Sequence, residues 1–258
     1  VLRETLDGVC ASSPDEARLG REEFGREVHA FAAAYSEKDV RALCATADHM
    51  VFNSLGQLER FRHLAAAESA RLGRTMQLAV RINPEHSEGA VPIYDPCAPG
   101  SRLGIRRRDF LPDRLCGISG LHWHNLCEQN ADCLERTVAA VEKNFGPFIR
   151  GMKYVNFGGG HHITRPDYDV DLLCGVVSGF MRRHGVQVYL EPGEAVATLT
   201  TAWNDEAGAY TTQTAAGALP YGTYDVQETA TNGSYLLTDG EPRTFEVRAA
   251  GEVVSASA

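Results

Sequence analysis

Short apolar runs alternate with longer amphipathic stretches along the first 196 residues. Apolar runs of about four to eight residues between polar turns predict buried strands, and amphipathic stretches, several preceded by Ser or Asp, predict helices. The predicted strands are Leu6–Ala11, Glu27–Phe31, His49–Asn53, Met76–Asn83, Gly117–His124, Met152–Phe157 and Val186–Glu191. The predicted helices include Ser13–Glu23, Glu37–Thr46, Leu55–Leu72, Gln129–Phe145 and Asp167–His184.

This alternation predicts an α/β fold. A strand followed by a helix is the unit from which parallel sheets are built, and a closed (β/α)8 barrel contains eight such units. The chain supplies about seven of them, one short of closure. We therefore expect residues 1–196 to form an incomplete TIM-type (β/α)8 barrel.

The composition changes near Ala197. All cysteines, histidines and lysines precede residue 185, whereas residues 198–258 contain only Arg243 and Arg248 as basic side chains. Within this tail, residues 218–247 alternate apolar and polar positions between turn residues, which predicts short strands. We therefore predict two domains, a barrel over 1–196 and a small all-β, sandwich-like module over 197–258.

The net charge of −9 disfavours a nucleic-acid partner, because such binding depends on basic patches. No apolar stretch approaches the roughly 20 residues that span a bilayer, and the first residues do not resemble a signal peptide. The sequence thus predicts a cytoplasmic protein without a membrane partner. Seven cysteines without a C-x-x-C pair predict neither a disulfide framework nor a metal site, and we expect most to be small buried hydrophobic residues.

Polar residues and glycines gather where the predicted strands end. In (β/α)8 barrels the catalytic residues lie at these carboxyl ends and in the loops that follow. The residues at these positions are Arg81, Asn83, His122, His124, Gly158, Gly159, Gly160, His161, His162, Glu191, Gly193 and Glu194.

The triple glycine at 158–160 has two interpretations. Without side chains, its N–H groups can approach an anion closely, and phosphate is the natural ligand, but an ordinary tight loop has the same sequence. Gly193 follows the next strand, and barrel enzymes commonly bind a phosphate between the loops of their last two strands. The two glycine elements together favour a phosphate site.

Two further side chains suggest which phosphate compound binds. A carboxylate such as Glu191 suits a cofactor whose ring nitrogen stays protonated, as in pyridoxal phosphate, although it can also be a loop carboxylate paired with an arginine. His124 can stack on the cofactor ring or be hydrogen-bonded inside the barrel mouth. Both alternatives stay open at this point.

Eight stretches carry a family resemblance. They are Leu6–Ser13, Glu16–Gly20, Phe52–Phe61, Arg81–Pro84, Ser101–Gly104, Leu121–Gln129, Phe157–Arg165 and Tyr189–Ala195. In wording and order they resemble carboxynorspermidine (carboxyspermidine) decarboxylase, a member of the alanine-racemase-like decarboxylases. The His-Asn-Leu-Cys-Glu and Gly-Gly-Gly-His-His-Ile-Thr elements distinguish it from the ornithine, arginine and diaminopimelate decarboxylases, which remain alternatives.

The resemblance implies that residues 1–196 are the barrel of a fold-type III decarboxylase that lacks its first strand. It implies decarboxylation, dependent on pyridoxal phosphate, of carboxynorspermidine or carboxyspermidine to norspermidine or spermidine by a homodimer in polyamine biosynthesis. His124 would lie against the pyridine ring, Glu191 would pair with the ring nitrogen, and Arg81 would support the ring face. Glu194 would mark the carboxynorspermidine branch. The phosphate would be surrounded by Gly158, Gly159, Gly160 and Gly193.

The family attaches its cofactor to a lysine on a strand that precedes the stretch matching Leu6. The lysines of this chain are Lys38, Lys143 and Lys153, the first two in predicted helices and the third at the wrong end of its strand. We therefore expect weak or absent turnover from this chain alone.

The tail resembles a prealbumin-like B-type repeat of Gram-positive surface adhesins over residues 218–247, where Glu228 matches the glutamate of a Glu-Thr motif. This resemblance supports an alternative function, that of a non-catalytic fusion or surface protein in which the β module mediates binding. A third possibility is a pseudoenzyme that holds the cofactor without a covalent bond.

Overall fold

The computed structural model describes residues 2–89, 91 and 95–193, and in the tail the strand residues 202–204, 209–211, 222–226 and 243–247. Leu2–Ala197 forms one compact unit and Thr198–Ala258 a second. The first is called the barrel unit below. Among the described residues, no helix is both long and apolar enough to cross a membrane.

The barrel unit contains one parallel sheet of seven strands in sequential order. The strands are β1 Gly8–Ala11, β2 Glu27–Phe31, β3 His49–Phe52, β4 Gln77–Arg81, β5 Ile118–His122, β6 Tyr154–Asn156 and β7 Gln187–Tyr189. The helices are α1 Pro14–Leu19, α2 Glu37–Thr46, α3 Leu55–Arg71, α4 Ala131–Ile149 and α5 Val170–His184. Two 3-10 turns, Arg107–Asp109 and Pro112–Arg114, lie between β4 and β5.

The sheet is curled. Strands β2 and β7 are five positions apart, which in a flat sheet with a spacing of about 4.8 Å corresponds to about 24 Å. The ring centroids of His29 on β2 and Tyr189 on β7 are nevertheless 4.5 Å apart, and those of Phe31 on β2 and His122 on β5 are 5.2 Å apart. The predicted incomplete TIM-type barrel is therefore confirmed.

Polar caps fix where the helices begin. The Ser36 side chain accepts from the Asp39 N–H while the Asp39 carboxylate accepts from the Ser36 N–H, a capping box at the start of α2. Asn130 and Asp169 cap α4 and α5, so both helices begin later than predicted. The predicted first helix divides into α1 and a π-helical turn, Gly20–Phe24.

Strands β1 and β2 end where predicted, whereas β3 to β7 end one or two residues early. Strand β5 ends at His122 and β7 ends at Tyr189, so His124 and Glu191 lie two residues beyond the sheet. This edge of the sheet, with the loops that leave it, is called the rim below. It is the edge at which (β/α)8 barrels place their catalytic residues.

The main core lies between the outer face of the sheet and the helices, and its largest fully buried side chains include Trp123, Phe52, Phe145 and Phe157. The expectation that most cysteines are buried is wrong. Only Cys44, on the sheet-facing side of α2, is buried, and Cys10, Cys116, Cys127 and Cys174 are exposed. All seven are free thiols.

In the tail, four strands are described: β8 Ala202–Asn204, β9 Ala209–Thr211, β10 Gly222–Val226 and β11 Arg243–Val247. Strand β8 pairs with β9, and β10 pairs with β11, both antiparallel. The described tail elements are therefore all β, and β10 and β11 fall within the stretch whose alternation predicts strands.

Candidate active site

A carboxylate that is 19% exposed lies at the centre of the rim. Glu191 Oε1 accepts a hydrogen bond of 2.8 Å from Asn156 Nδ2. His122 Nε2 lies 3.6 Å from Glu191 Oε1, and His124 Nδ1 lies 3.8 Å from Oε2. The carboxyl ends of β5 and β7, on either side of β6, thus bring one acid and two imidazoles together.

Asn156 connects this carboxylate to the glycine loop. It is the last residue of β6 and is 1% exposed. Its Nδ2 donates to Glu191, while its Oδ1 accepts from the Gly158 N–H at 2.8 Å. One side chain therefore fixes both the carboxylate and the turn. Asn156 is not among the predicted site residues, although an amide two residues before a triple glycine, at the end of an apolar strand, is a visible signal.

Burial controls the charges of this cluster. It raises the pKa of Glu191, and the opposing effects of Asn156, Cys10 and Arg81 do not reverse the shift. It lowers the pKa of His122 well below the ordinary value, and it lowers the pKa of His124 to about 4, in each case with help from the Arg81 charge. Both histidines are therefore uncharged at neutral pH.

Arg81 lies under the rim. Its Nη2 donates to the His124 carbonyl oxygen at 2.7 Å, and its guanidinium lies 4.7 Å from the Phe31 ring centroid. Arg81 therefore holds the backbone that carries His124. The neighbouring Asn83 instead donates to the carbonyls of Pro96 and Leu103, so it organises the loop after β4.

The triple glycine forms a tightly packed turn. Gly158 and Gly160 have φ angles of 72° and 82°, which favour glycine. A Cβ on Gly159 would collide with the Glu191 carbonyl oxygen, and one on Gly160 would collide with the Leu126 carbonyl oxygen. Close packing of loops thus explains part of the glycine pattern, as the tight-loop interpretation anticipated.

The N–H groups of this turn are nevertheless available. Within the described part of the chain, the N–H groups of Gly159 and Gly160 have no hydrogen-bond acceptor. The Gly193 N–H donates to the Glu191 carbonyl, and no described atom lies within 4 Å of the Gly193 Cβ position. Glu194 lies outside the described residues.

Cys10 is a further residue beside the rim carboxylate, and it is not among the predicted site residues. It lies on β1, and its thiol and Glu191 are close enough for each to shift the pKa of the other. Although Cys10 keeps exposed surface, the protein packed around it and the negative charge of Glu191 raise the pKa of its thiol. The thiol therefore stays protonated at neutral pH.

The fold of the barrel unit is similar to that of solved enzyme structures. The barrel unit resembles diaminopimelate decarboxylase from Helicobacter pylori in complex with L-lysine, with a TM-score of 0.60, 14% identity and coverage of 74% of this chain and 52% of that one. The barrel unit therefore shares the fold of that enzyme's barrel. No protein-family model matches the chain.

The sequence is more similar to one group within this fold. It is 41% identical over 200 residues to the carboxynorspermidine/carboxyspermidine decarboxylase of Campylobacter jejuni, and 40% identical to the carboxyaminopropylagmatine decarboxylase of Synechocystis, covering 78% and 77% of this chain and 50% of each relative. The crystal structure of carboxynorspermidine decarboxylase from C. jejuni with norspermidine gives a TM-score of 0.66 at 37% identity, covering 79% of this chain and 53% of that one.

The chain thus spans about half the length of the curated relatives it matches. Its resemblance to carboxynorspermidine decarboxylases is confirmed over that span. The resemblance of the tail to adhesin repeats gains no support from these similarities.

Proposed function

We propose that the barrel unit binds pyridoxal phosphate and belongs to an enzyme that removes the α-carboxylate of carboxynorspermidine or carboxyspermidine. The observation that supports this best is the partly buried Glu191 carboxylate, fixed by Asn156 and facing two uncharged histidines beside the glycine turn. The similarity to decarboxylases of these polyamines narrows the substrate class.

Several polar atoms at the rim lack hydrogen-bond partners in the part of the chain that the structure describes, and the cofactor carries groups that could pair with them. Both ring nitrogens of His122 are buried and make no hydrogen bond, and the Gly159 and Gly160 N–H groups lack acceptors among the described residues. Unpaired buried polar groups are costly, so a ligand that supplies partners is favoured there. A phosphate can accept hydrogen bonds from these N–H groups, and a protonated ring nitrogen can donate one to the Glu191 carboxylate. The residues therefore fit pyridoxal phosphate.

When bound, pyridoxal phosphate supplies an electron sink for the carbanion left by the departing carbon dioxide. The residues of the protein would bind and orient the cofactor. Glu191, whose position depends on the Asn156 amide, would hold the proton on the ring nitrogen. His124, held by Arg81, would offer a flat ring face, and the Gly159 and Gly160 N–H groups would bind phosphate oxygens.

We also propose that this chain binds the cofactor without a covalent bond. Lys38 lies in α2, Lys143 lies in α4, and Lys153 precedes β6 at the end of the sheet opposite the rim. None of them is close in the fold to Glu191. We propose further that the complete enzyme is a homodimer and that Glu194 contributes to substrate choice, in keeping with the family resemblance.

The test is a titration of the purified chain with pyridoxal phosphate, followed by absorbance and by retention in gel filtration. We expect saturable binding that Glu191→Ala weakens by about tenfold or more, since a hydrogen bond to a charged group contributes about 1.5–3 kcal/mol. Glu135→Ala, which removes an exposed carboxylate of α4, is the matched control and should bind normally.

Two results contradict the proposal. If Glu191→Ala binds as well as the unchanged chain, the ring is not placed beside Glu191. If borohydride fixes the cofactor to a lysine of this chain, the binding is covalent.

A second substrate is favoured by the relative whose name specifies carboxyaminopropylagmatine. Its 40% identity nearly equals that of the carboxynorspermidine relative. Competition of carboxynorspermidine and carboxyaminopropylagmatine for binding to the cofactor-loaded chain distinguishes the two, because the true substrate should displace the other at lower concentration.

A further inference from the structure

A second polar cluster lies at the opposite end of the barrel unit from the rim. Glu27 and His29 are two residues apart on β2, so the strand period of two places both side chains on one face. His49 begins β3 and is the register partner of His29. One ligand atom of each residue lies within 4.8 Å of those of the other two. We call these three residues the floor cluster.

Aromatic rings enclose the two histidines. Their ring centroids are 3.8 Å apart with an interplanar angle of 10°. The Tyr189 ring packs edge-on against His29 at 4.5 Å, and the Tyr154 ring packs edge-on against His49 at 4.6 Å. The Glu27 carboxylate lies 3.2 Å from His29 Nε2 and is 46% exposed, so it gives an ion a path from solvent.

The hydrogen bonding of His49 is incomplete. His49 is 1% exposed, and its Nδ1 has no hydrogen-bond partner. Its Nε2 lies 3.4 Å from Gln77 Nε2, while the buried Gln77 Oε1 also lacks a partner. Turning the Gln77 amide lets Oε1 accept from the His49 Nε2–H, because amide oxygen and nitrogen occupy equivalent positions. That arrangement leaves the Nδ1 lone pair of His49 free.

The histidines are also in the charge state that a metal requires. Burial lowers the pKa of both His29 and His49 to about 4, so each ring is neutral at pH 7. Neutral imidazole is the form that binds metal ions, and a second hydrogen bond that fixes the ring, as Gln77 can provide, is typical of metal-binding histidines.

We propose that Glu27, His29 and His49 form a binding site for a divalent transition-metal ion, with Zn²⁺ the best match. Two imidazoles and one carboxylate are a common zinc ligand set, with water in the fourth position. In the stacked arrangement the ring planes are parallel, so one ring turns when both nitrogens bind the ion. The ion would cross-link β2 and β3, away from the rim.

The test uses the full 258-residue chain after removal of metal by a chelator. Zn²⁺ is titrated by calorimetry and Co²⁺ by visible absorption, since Co²⁺ spectra report both geometry and ligand type. We expect one equivalent of Zn²⁺ and a four-coordinate Co²⁺ spectrum without thiolate charge-transfer bands. The thiolate bands matter because all seven cysteines are free.

Variants locate the site. Glu27→Gln and His49→Gln should each weaken Zn²⁺ binding by about tenfold or more, because each removes a ligand. Glu22→Gln, an exposed glutamate outside the cluster, is the matched control. Glu191→Gln tests the other group of possible ligands, His122, His124 and Glu191, and should leave Zn²⁺ binding unchanged.

Zn²⁺ should also raise the melting temperature of the unchanged chain more than that of Glu27→Gln, since ligands that bind only the folded state stabilise it. Because the Glu27 side chain is half-exposed, Glu27→Gln should fold. This variant therefore tests the site even if His49→Gln, which changes a buried residue, fails to fold. Equal Zn²⁺ affinity in the Glu27→Gln variant, thiolate bands with Co²⁺, or loss of binding in Glu191→Gln would each overturn the proposal.

Discussion

Replacing Asn156 by alanine should destabilise the barrel unit and weaken the rim together. The change removes the hydrogen bond to the Glu191 carboxylate and the one from the Gly158 N–H, both 2.8 Å long. A hydrogen bond to a charged group contributes about 1.5–3 kcal/mol and a neutral one about 0.5–1.5 kcal/mol. Because Asn156 is 1% exposed, water does not replace either bond, and we expect a loss of about 3 kcal/mol.

The loss is measured by urea unfolding followed through the helical circular dichroism signal, since all helices of the described chain lie in the barrel unit. Asn144→Ala is the matched control, because Asn144 makes one hydrogen bond, to the Pro84 carbonyl oxygen at 3.1 Å, and should cost about 1 kcal/mol. Pyridoxal phosphate affinity should fall in Asn156→Ala and not in Asn144→Ala. Equal losses of stability in the two variants would refute the role assigned to Asn156.

The remaining predictions also concern the rim and the sheet. Because the pKa of Glu191 is raised on folding, the folded state loses stability as pH rises from about 4.5 through the raised pKa. Glu191→Gln should therefore be more stable than the unchanged chain at about pH 7 and equal to it at about pH 4. The check is the urea unfolding midpoint of both proteins at the two pH values, and a difference between their midpoints that is the same at both would contradict the prediction. Gly159→Ala should lose stability and cofactor binding, whereas Gly193→Ala, whose Cβ would meet no described atom, should keep its melting temperature; equal melting temperatures of the two variants would argue against the packing described. Gly120→Ala places a Cβ 2.5 Å from the Tyr154 ring, so its melting temperature should fall, and an unchanged value would show that the ring can move.

The seven strands were predictable because buried parallel strands are short and apolar, and such runs leave a clear trace in the sequence. Their ends were not. The predicted strands continued through His124 and Glu191, whereas the sheet ends two residues earlier. A run of residues reveals burial, but backbone pairing decides where a strand stops.

The rim was partly predictable for the same reason. His124, Gly159 and Glu191 do come together, since carboxyl ends of parallel strands share one edge. Asn156 and Cys10 escaped notice because their roles depend on which atoms face Glu191. The floor cluster could not be predicted from the sequence. His29 and His49 are 20 residues apart in the chain, and only the register of β2 and β3 brings them side by side.

Trp123 gives the chain a built-in optical reporter. Its indole is fully buried, stacks on Phe157 with ring centroids 4.3 Å apart, and directly precedes His124. A pyridoxal ring absorbs in the near ultraviolet where indoles emit, so occupancy of the rim should quench Trp123 fluorescence through energy transfer. The chain has one other tryptophan, Trp203, and replacing it by phenylalanine would leave a single emitter that reads ligand occupancy directly, without an added dye.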